Sequence, residues 1–234
     1  MSNISIIIPT LNEAQNIEHL LNALAQRSSS LIKEIIIVDG GSTDQTVAIV
    51  NRLSKTNSKL KLVASNKGRP IQLNKGASVA TSDILYFLHA DSIPPQNFDR
   101  LIANQVSKGH EAGCFKMKFD SPHLWLKFLG WLTQFSWRAG RGGDQSQFIT
   151  KPLFQSIGGY DERYLIYEDN ILINQLYKRK QFVVIPKWLV TSSRRFYSVG
   201  ILKLQLHFWA IYFKKWMGAS PEELHLYHRK YLSR

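Results

Sequence analysis

Residues 4–39 read ISIIIPTLNEAQNIEHLLNALAQRSSSLIKEIIIVD. Ile4–Pro9 is a nearly unbroken apolar run closed by proline, the pattern of a strand buried on both faces. Glu13–Gln26 then sets Ile17, Leu20, Leu21 and Leu24 at the spacing of a helix with one buried face. Glu34–Asp39 (EIIIVD) returns to a β-branched run, a second buried strand. Two buried strands joined by an amphipathic helix predict a parallel pair with a crossover connection.

The pattern continues downstream. Ser42-Thr43-Asp44 supplies N-cap chemistry for a helix running to about Leu53. Leu60–Ala64 predicts a third strand and Ile71–Ala80 a third helix. Asp83–Leu88 (DILYFL) predicts a fourth strand, followed by Pro94-Pro95 and a helix through about Lys108. The expected fold class is therefore α/β, a mostly parallel central sheet flanked by helices. In such sheets ligands sit at the carboxyl ends of the strands. Those ends carry Pro9-Thr10-Leu11-Asn12-Glu13, Asp39-Gly40-Gly41-Ser42-Thr43-Asp44, Asn66-Lys67-Gly68-Arg69 and His89-Ala90-Asp91-Ser92. Carboxylates, amides and cations at one edge suit a nucleotide: polar groups for base and ribose, cations and backbone N–H groups for phosphate. Any one aspartate there serves equally as a helix cap. Four polar ends in succession favour a site.

Composition bounds the alternatives. The chain has 234 residues, 44% hydrophobic, 20% charged and 12% aromatic, which excludes intrinsic disorder and suits one α/β domain. One cysteine, Cys114, excludes an internal disulfide and a multi-cysteine metal site, fits a reducing compartment, and reads as a small strand hydrophobe. No run reaches the roughly 18 apolar residues of a spanning helix, and no basic segment precedes Ile4, so no secretory signal is expected. The formal net charge is +13. Residues 1–120 hold 13 basic and 10 acidic side chains, and residues 121–234 hold 17 and 7. All six tryptophans lie in the second part. That basic, Trp-rich half predicts a polyanionic partner: phosphate groups, nucleic acid or an anionic membrane.

SIIIPTLNEAQNI, EIIIVDGGSTDQT and FLHADS, with NKGRPIQLNKGA, GGDQSQFITKPLFQSIGGYDE and YEDNILINQLYKR, resemble the family 2 glycosyltransferases. Within them the chain is similar to a short bacterial branch named transferase 2, radical-SAM/selenodomain-associated. The resemblance runs from residue 4 to about 230. It implies the A-type (GT-A) nucleotide-diphospho-sugar fold and an inverting transfer of a single sugar from a nucleotide-diphosphate donor to an acceptor hydroxyl. It further implies one domain over residues 1–234, with 1–120 as the donor half and 121–234 as the acceptor half.

By this resemblance Asp91 holds Mn²⁺ or Mg²⁺, hard ions that prefer oxygen ligands and neutralise a leaving diphosphate. Asp39 faces the base or ribose of a UDP- or GDP-sugar, and Pro9, Thr10, Asn12 and Glu13 form the other wall. Lys67 and Arg69 reach phosphate or the base-proximal face. Gly143 and Asp144 shape the floor under sugar and diphosphate, with a simple tight turn as the other reading of that segment. Arg194 and Arg195 grip the leaving diphosphate. Asp169 matches the general base, with Glu168 as the fallback; charge at a helix N-terminus is the competing explanation for both. The family's paired metal motif is Asp-x-Asp, and here its first position is His89, followed by Ala90. Gly40 stands where a second aspartate often follows Asp39. The Gln-x-x-Arg-Trp motif of processive synthases is absent, which favours single transfer.

His123–Trp137 places Leu124, Phe128, Trp131, Leu132 and Phe135 on one helical face, and Gly200–Met217 carries Leu202, Leu206, Trp209, Ile211 and Phe213 beside Lys203, Lys214 and Lys215. Either helix packs on the sheet as core, or lies in an anionic membrane surface, where a lipid or lipid-phosphate acceptor would be met. The expected location is cytoplasmic, peripheral on the inner face of the cell membrane. His207, alone among apolar neighbours, is expected to be structural. A basic nucleic-acid-binding module and a catalytically degenerate donor-binding protein stay open as other readings. Against the former, the carboxylates at the strand ends repel a polyanion, and no specific nucleic acid is expected.

Overall fold

The buried apolar runs form strands where their pattern predicts. The computed structural model describes residues 3–180 and 182–232; residues 1, 2, 181, 233 and 234 of the expected 1–234 domain lie outside the described residues. The first half comprises β1 (Ile4–Thr10), α1 (Ile17–Arg27), β2 (Ile32–Asp39), α2 (Thr46–Ser54), β3 (Leu60–Ala64), α3 (Arg69–Val79), β4 (Ile84–Phe87), β5 (Ser92–Ile93) and α4 (Phe98–Ser107). The second half adds β6 (Ala112–Phe119), α5 (Leu124–Leu132), two 3₁₀ turns (Arg138–Gly140 and Gly143–Gln145), β7 (Gln147–Thr150) and α6 (Lys151–Ser156). It ends with α7 (Glu168–Lys178), β8 (Phe182–Thr191), α8 (Arg194–Val199), α9 (Ile201–Trp216) and α10 (Pro221–Leu232).

All eight strands join one sheet in the order β3-β2-β1-β4-β7-β6-β8-β5. The β3-β2-β1-β4 half is parallel, as expected. β7 then runs antiparallel to β4 and β6, while β6 and β8 are parallel. The two-residue β5 pairs antiparallel with Val190 and Thr191 of β8, bringing the end of β8 beside the residues that follow β4.

Alternation along β1 divides the core. Ile4, Ile6 and Ile8 pack with Ile17, Leu20 and Phe98 on one face; Ile7 packs with Val38, Leu73 and Phe87 on the other. Gly76 lets α3 settle on that second face, because a Cβ there would come within 2.4 Å of Ile7 Cγ2. Glu34, inside β2, stays charged: Lys61, Ser5 and Thr81 bind it and hold its carboxyl down to about 2 despite burial. A third cluster joins Leu126 of α5 to Phe196, Leu204, Ile211 and Leu224 of the C-terminal helices.

Two helices are shorter than the sequence pattern predicts. The helix expected over 13–26 begins at Ile17, after a turn in which Glu13 O accepts from Asn16 N and Ile17 N. The helix expected over 123–137 stops at Leu132. There the Thr133 hydroxyl caps Gly130 O (2.7 Å), and the buried Arg141 guanidinium takes the carbonyls of Thr133 and Phe135 (both 2.6 Å). These side chains satisfy carbonyls that a continuing helix would have used.

Candidate active site

The loops after β1 and β2 are laced into one ledge. Asn12, at φ 58°, donates its N–H to Ser42 Oγ (2.9 Å) and accepts from Thr43 N (2.8 Å). Glu13 N donates to Thr46 Oγ1 and Ala14 N to Asp44 Oδ2. Asp39 is buried, and its carboxylate accepts from Gly41 N, Ser42 N (both 2.9 Å) and Ser42 Oγ (2.5 Å). Its oxygens thus organise the loop, and direct contact with a ribose would compete with Ser42. Pro9 and Thr10 close β1, with Thr10 buried beneath the ledge. Gln72 donates to Thr10 O and Val38 O (2.8 Å each) and fills the space a side chain at position 40 would need, with its Cδ 2.9 Å from that Cβ. That explains why Gly40 departs from the aspartate often found there.

Two motifs meet across the site. Asn74 of α3 accepts from Tyr160 N and donates to Tyr160 O and Glu162 Oε1, all at 2.9 Å. It thereby pins the Gly158-Gly159-Tyr160 turn that leads to α7. Glu168 and Asp169 form the first turn of α7, both buried, entered through Tyr167 at φ 71°. Arg69, the first residue of α3, places Nε 2.9 Å from Glu168 Oε1 and Nη1 3.5 Å from Asp169 Oδ2. The arginine expected at the donor phosphates therefore rests on the acidic pair, while Lys67 is exposed.

Electrostatics at this pair are unusual for carboxylates. Burial, then the neighbouring Glu168, pushes Asp169 up to about 7, with Arg69 and His89 opposing. Glu168 is also raised by burial, against the pull of Arg69. Gly143 lies directly against Asp169: a Cβ there would stand 2.0 Å from Asp169 Oδ2. The following 3₁₀ turn brings Asp144 to His89, with Oδ1 3.6 Å from Nδ1. Asn12, Tyr167 and Ser146 are non-glycine residues at positive φ beside the site, a backbone cost of order 1–3 kcal/mol each that such sites commonly store.

Asp91 follows β4 with Ala90 buried behind it. Its carboxyl is raised by burial and by Asp144 and Glu13, while His89 and Arg194 lower it. Arg194 bridges two carboxylates: Nη2 lies 2.7 Å from Glu13 Oε1 and 4.0 Å from Asp91 Oδ2. Asp120 fixes the approach to that arginine by accepting from Ser193 N (2.7 Å) and Ser193 Oγ (2.6 Å). Arg195 feels the charges of Asp144 and Arg69 but makes its direct contacts elsewhere. Its Nη2 reaches His228 Nε2 (2.7 Å) and its guanidinium stacks over Phe208, so its first contacts lie among the C-terminal helices.

The carboxylates fit a divalent cation in a limited way. Asp91, Asp144 and Glu13 gather negative charge, with Arg194 and His89 acting against it at Asp91, and their oxygens suit a hard ion. Among the described residues no group of three or more His, Cys, Asp or Glu has the geometry to hold an ion unaided. Asp91 has the oxygen chemistry to hold such an ion, whose remaining ligands would have to come from outside the protein.

Residues missed by sequence reasoning include Arg141, Gln72, Asn74 and Asp120. Arg141 is almost wholly buried, donating to Gln145 Oε1 (2.6 Å) and to the carbonyls that end α5. Its sequence signal is the i, i+4 pairing with Gln145 across two glycines.

The glycosyl transferase family 2 model matches residues 5–182. The succinoglycan biosynthesis protein ExoA of Rhizobium meliloti is 26% identical over 182 residues, covering 70% of this chain and 54% of that protein. A PGL/p-HBAD biosynthesis glycosyltransferase of Mycobacterium tuberculosis is 28% identical over 178 residues, covering 70% and 66%. The chain thus spans about half to two thirds of these relatives' lengths. Among solved structures, S. aureus TarS 1-349 in complex with UDP superposes with a TM-score of 0.65 at 19% identity, covering 81% of this chain and 60% of that one. The mannosyltransferase PcManGT from Pyrobaculum calidifontis, in complex with GDP-Man and Mn²⁺, gives 0.64 at 21% identity over 99% and 70%. These likenesses establish the GT-A fold.

Proposed function

The chain belongs to glycosyl transferase family 2, and from that premise we propose that it transfers a single sugar from a UDP- or GDP-linked donor to an acceptor hydroxyl with inversion. The observation that carries this reading is the placement of Asp169. It is a buried carboxylate raised to about 7, packed against Gly143 and within reach of the charges of Arg69, His89 and Asp144. A base poised near neutrality can be ionised at the working pH and still hold the proton it takes. Asp169 accepts the proton of the acceptor hydroxyl as its oxygen bonds to the anomeric carbon, and the bond to the nucleoside diphosphate breaks. Arg69 holds Asp169 and Glu168 in place, and Arg194 meets the departing phosphates. Asp91 anchors Mn²⁺ or Mg²⁺, which when bound neutralises charge on the leaving diphosphate. Residues 1–120 form the donor half of one domain and residues 121–234 the acceptor half.

The acceptor in this reading is a lipid or lipid phosphate, met in the cytoplasm by a protein peripheral on the inner face of the cell membrane. The basic, Trp-rich second half supports it, beside relatives named for succinoglycan and PGL/p-HBAD biosynthesis. Among the described residues no helix is long and apolar enough to cross a membrane. The nucleic-acid reading is disfavoured by the carboxylates gathered at the site.

Release of nucleoside diphosphate from a panel of UDP- and GDP-sugars, followed against pH, tests the assignment. Turnover should rise as Asp169 ionises through about 7. Arg69→Gln removes a cation that favours the ionised form, so the rising limb of kcat should move up by about one pH unit. A limb that stays in place would remove Arg69 from the control of this base. Donor binding without turnover across the panel would favour the degenerate reading.

A further inference from the structure

The outer faces of α5 and α9 are not core. α5 lies close on β6 through Gly130, whose Cβ would stand 3.1 Å from Met117 O, and it buries Leu126. That seating turns Leu124, Phe128 and Trp131 outward, 80%, 46% and 50% exposed. α9 buries Leu204 and Ile211 against α8 and α10. Its opposite stripe, Leu202, Leu206, Trp209, Phe213 and Trp216, follows the helical repeat over four turns with every member more than half exposed. Core packing therefore accounts for one face of each helix only; Ile211, expected on the stripe, belongs to the inner face.

The two outer faces are continuous. Ring contacts run from Trp209 to Trp125 (6.3 Å), then to Phe128 (5.6 Å), Trp131 (6.1 Å), Phe135 (4.9 Å) and Trp137 (6.0 Å). No carboxylate interrupts residues 121–143 or 192–221, whereas Lys127, Arg138, Lys203 and Lys214 stand exposed among them. Aromatic and aliphatic side chains flanked by lysine and arginine suit the headgroup boundary of an anionic bilayer. A second copy docked by two-fold symmetry would instead set like charges against one another.

We propose that this α5–α9 face docks the protein on an anionic lipid bilayer, with the active site opening beside the headgroup layer. The site borders the face on both sides. Trp137 leads through the 3₁₀ turns to Gly143, which lies on Asp169. Tyr212 of α9 donates to Asn170 Oδ1 (3.1 Å) and packs edge-on against Tyr167. Docking itself stands on the surface alone; the delivery of a bilayer-borne acceptor to Asp169 rests on the transferase reading.

Flotation of the full chain with phosphatidylcholine vesicles, with and without an equal part of phosphatidylglycerol, tests the surface. Anionic vesicles should bind at least about tenfold more tightly than neutral ones, and added salt should weaken the binding. Trp131→Ser with Trp216→Ser, and separately Lys127→Glu with Lys203→Glu, should each reduce binding by about tenfold or more. Both pairs should stay folded with a cooperative melt, the Lys pair at the wild-type melting temperature and the Trp pair lower by a few degrees at most, since Trp131 packs on Phe128 and Phe135. Absence of wild-type binding, or equal binding by either pair of variants, overturns the proposal. A wild-type dimer that the Trp substitutions convert to monomer also overturns it, because the occupant is then a second copy. Nucleotide-induced thermal shifts on the same samples separate the two questions: failure there with vesicle binding intact sinks the transferase reading and leaves the surface standing.

Discussion

Asp169→Asn should lower sugar transfer by about 10²–10⁴-fold while leaving donor binding near the wild-type level. Asparagine keeps the shape and cannot accept the proton, so the chemical step suffers and the donor contacts do not. The measurement is kcat beside the donor dissociation constant, and near-normal transfer would remove Asp169 from the role of base. Stability supplies an independent readout. In the folded protein this carboxyl keeps its proton up to about 7, against an ordinary value of 3.8. Between those limits the folded state binds more protons than the unfolded state, so this group lowers stability as pH rises from about 4 towards 7. Asp169→Asn removes that loss and lets Arg69 serve Glu168 alone. The variant should match wild type near pH 4 and exceed it by about 1–3 kcal/mol at pH 8. Thus one substitution gains stability and loses activity, an exchange that a merely structural aspartate would not show.

Asp91→Ala should remove the metal-dependent part of donor binding. Asp91 lies within reach of the charges of Glu13 and Asp144, and burial together with those two acids raises its carboxyl. A cation would relieve this crowding, and in the proposed reading this side chain supplies the oxygen that anchors it. A nucleotide at a hundred times its dissociation constant stabilises a protein by about 2.7 kcal/mol. For Asp91→Ala the stabilisation with Mn²⁺ should fall to the value seen without metal. Among the described residues no group of three or more His, Cys, Asp or Glu could hold an ion, so wild-type affinity for the metal alone should be weak. Titration calorimetry with Mn²⁺, with and without nucleotide, checks both statements. Retention of the full metal effect in Asp91→Ala would transfer the anchor to Asp144.

Much of this arrangement is readable in the sequence because it rests on local pattern. The runs at Ile4–Pro9, Glu34–Asp39, Leu60–Ala64 and Asp83–Leu88 become the parallel half of the sheet, and each apolar run ends where a polar loop begins. β7 and β8 are harder to see. β7 offers only Phe148 and Ile149 as wholly buried hydrophobics, and the outer part of β8, Pro186–Trp188, is exposed. Their pairing partners lie far away in the chain, beyond what a local window reads.

The site divides in the same way. Loop residues such as Asn12, Asp39 and Asp91 stand at strand ends and follow from the topology. The pairings of Arg69 with Glu168, about a hundred residues later, and of Glu13 with Arg194 depend on how distant segments fold back. Arg195, next to Arg194 in sequence, turns one helical step away and meets His228 instead. The aromatic helices carry a further lesson. Spacing identifies an apolar stripe on α9, but only the packed structure shows that this stripe faces outward while Leu204 and Ile211 face in.

The central claim, a nucleotide-sugar site at the ends of β1, β2 and β4, is tested most directly by thermal unfolding with UDP, GDP, CDP and dTDP, each with and without Mn²⁺. One nucleotide should raise the melting temperature by about 5–10 °C at saturating concentration, and by more with Mn²⁺ than without. UDP or GDP is the expected ligand. No shift from any of the four, with or without metal, would contradict the account.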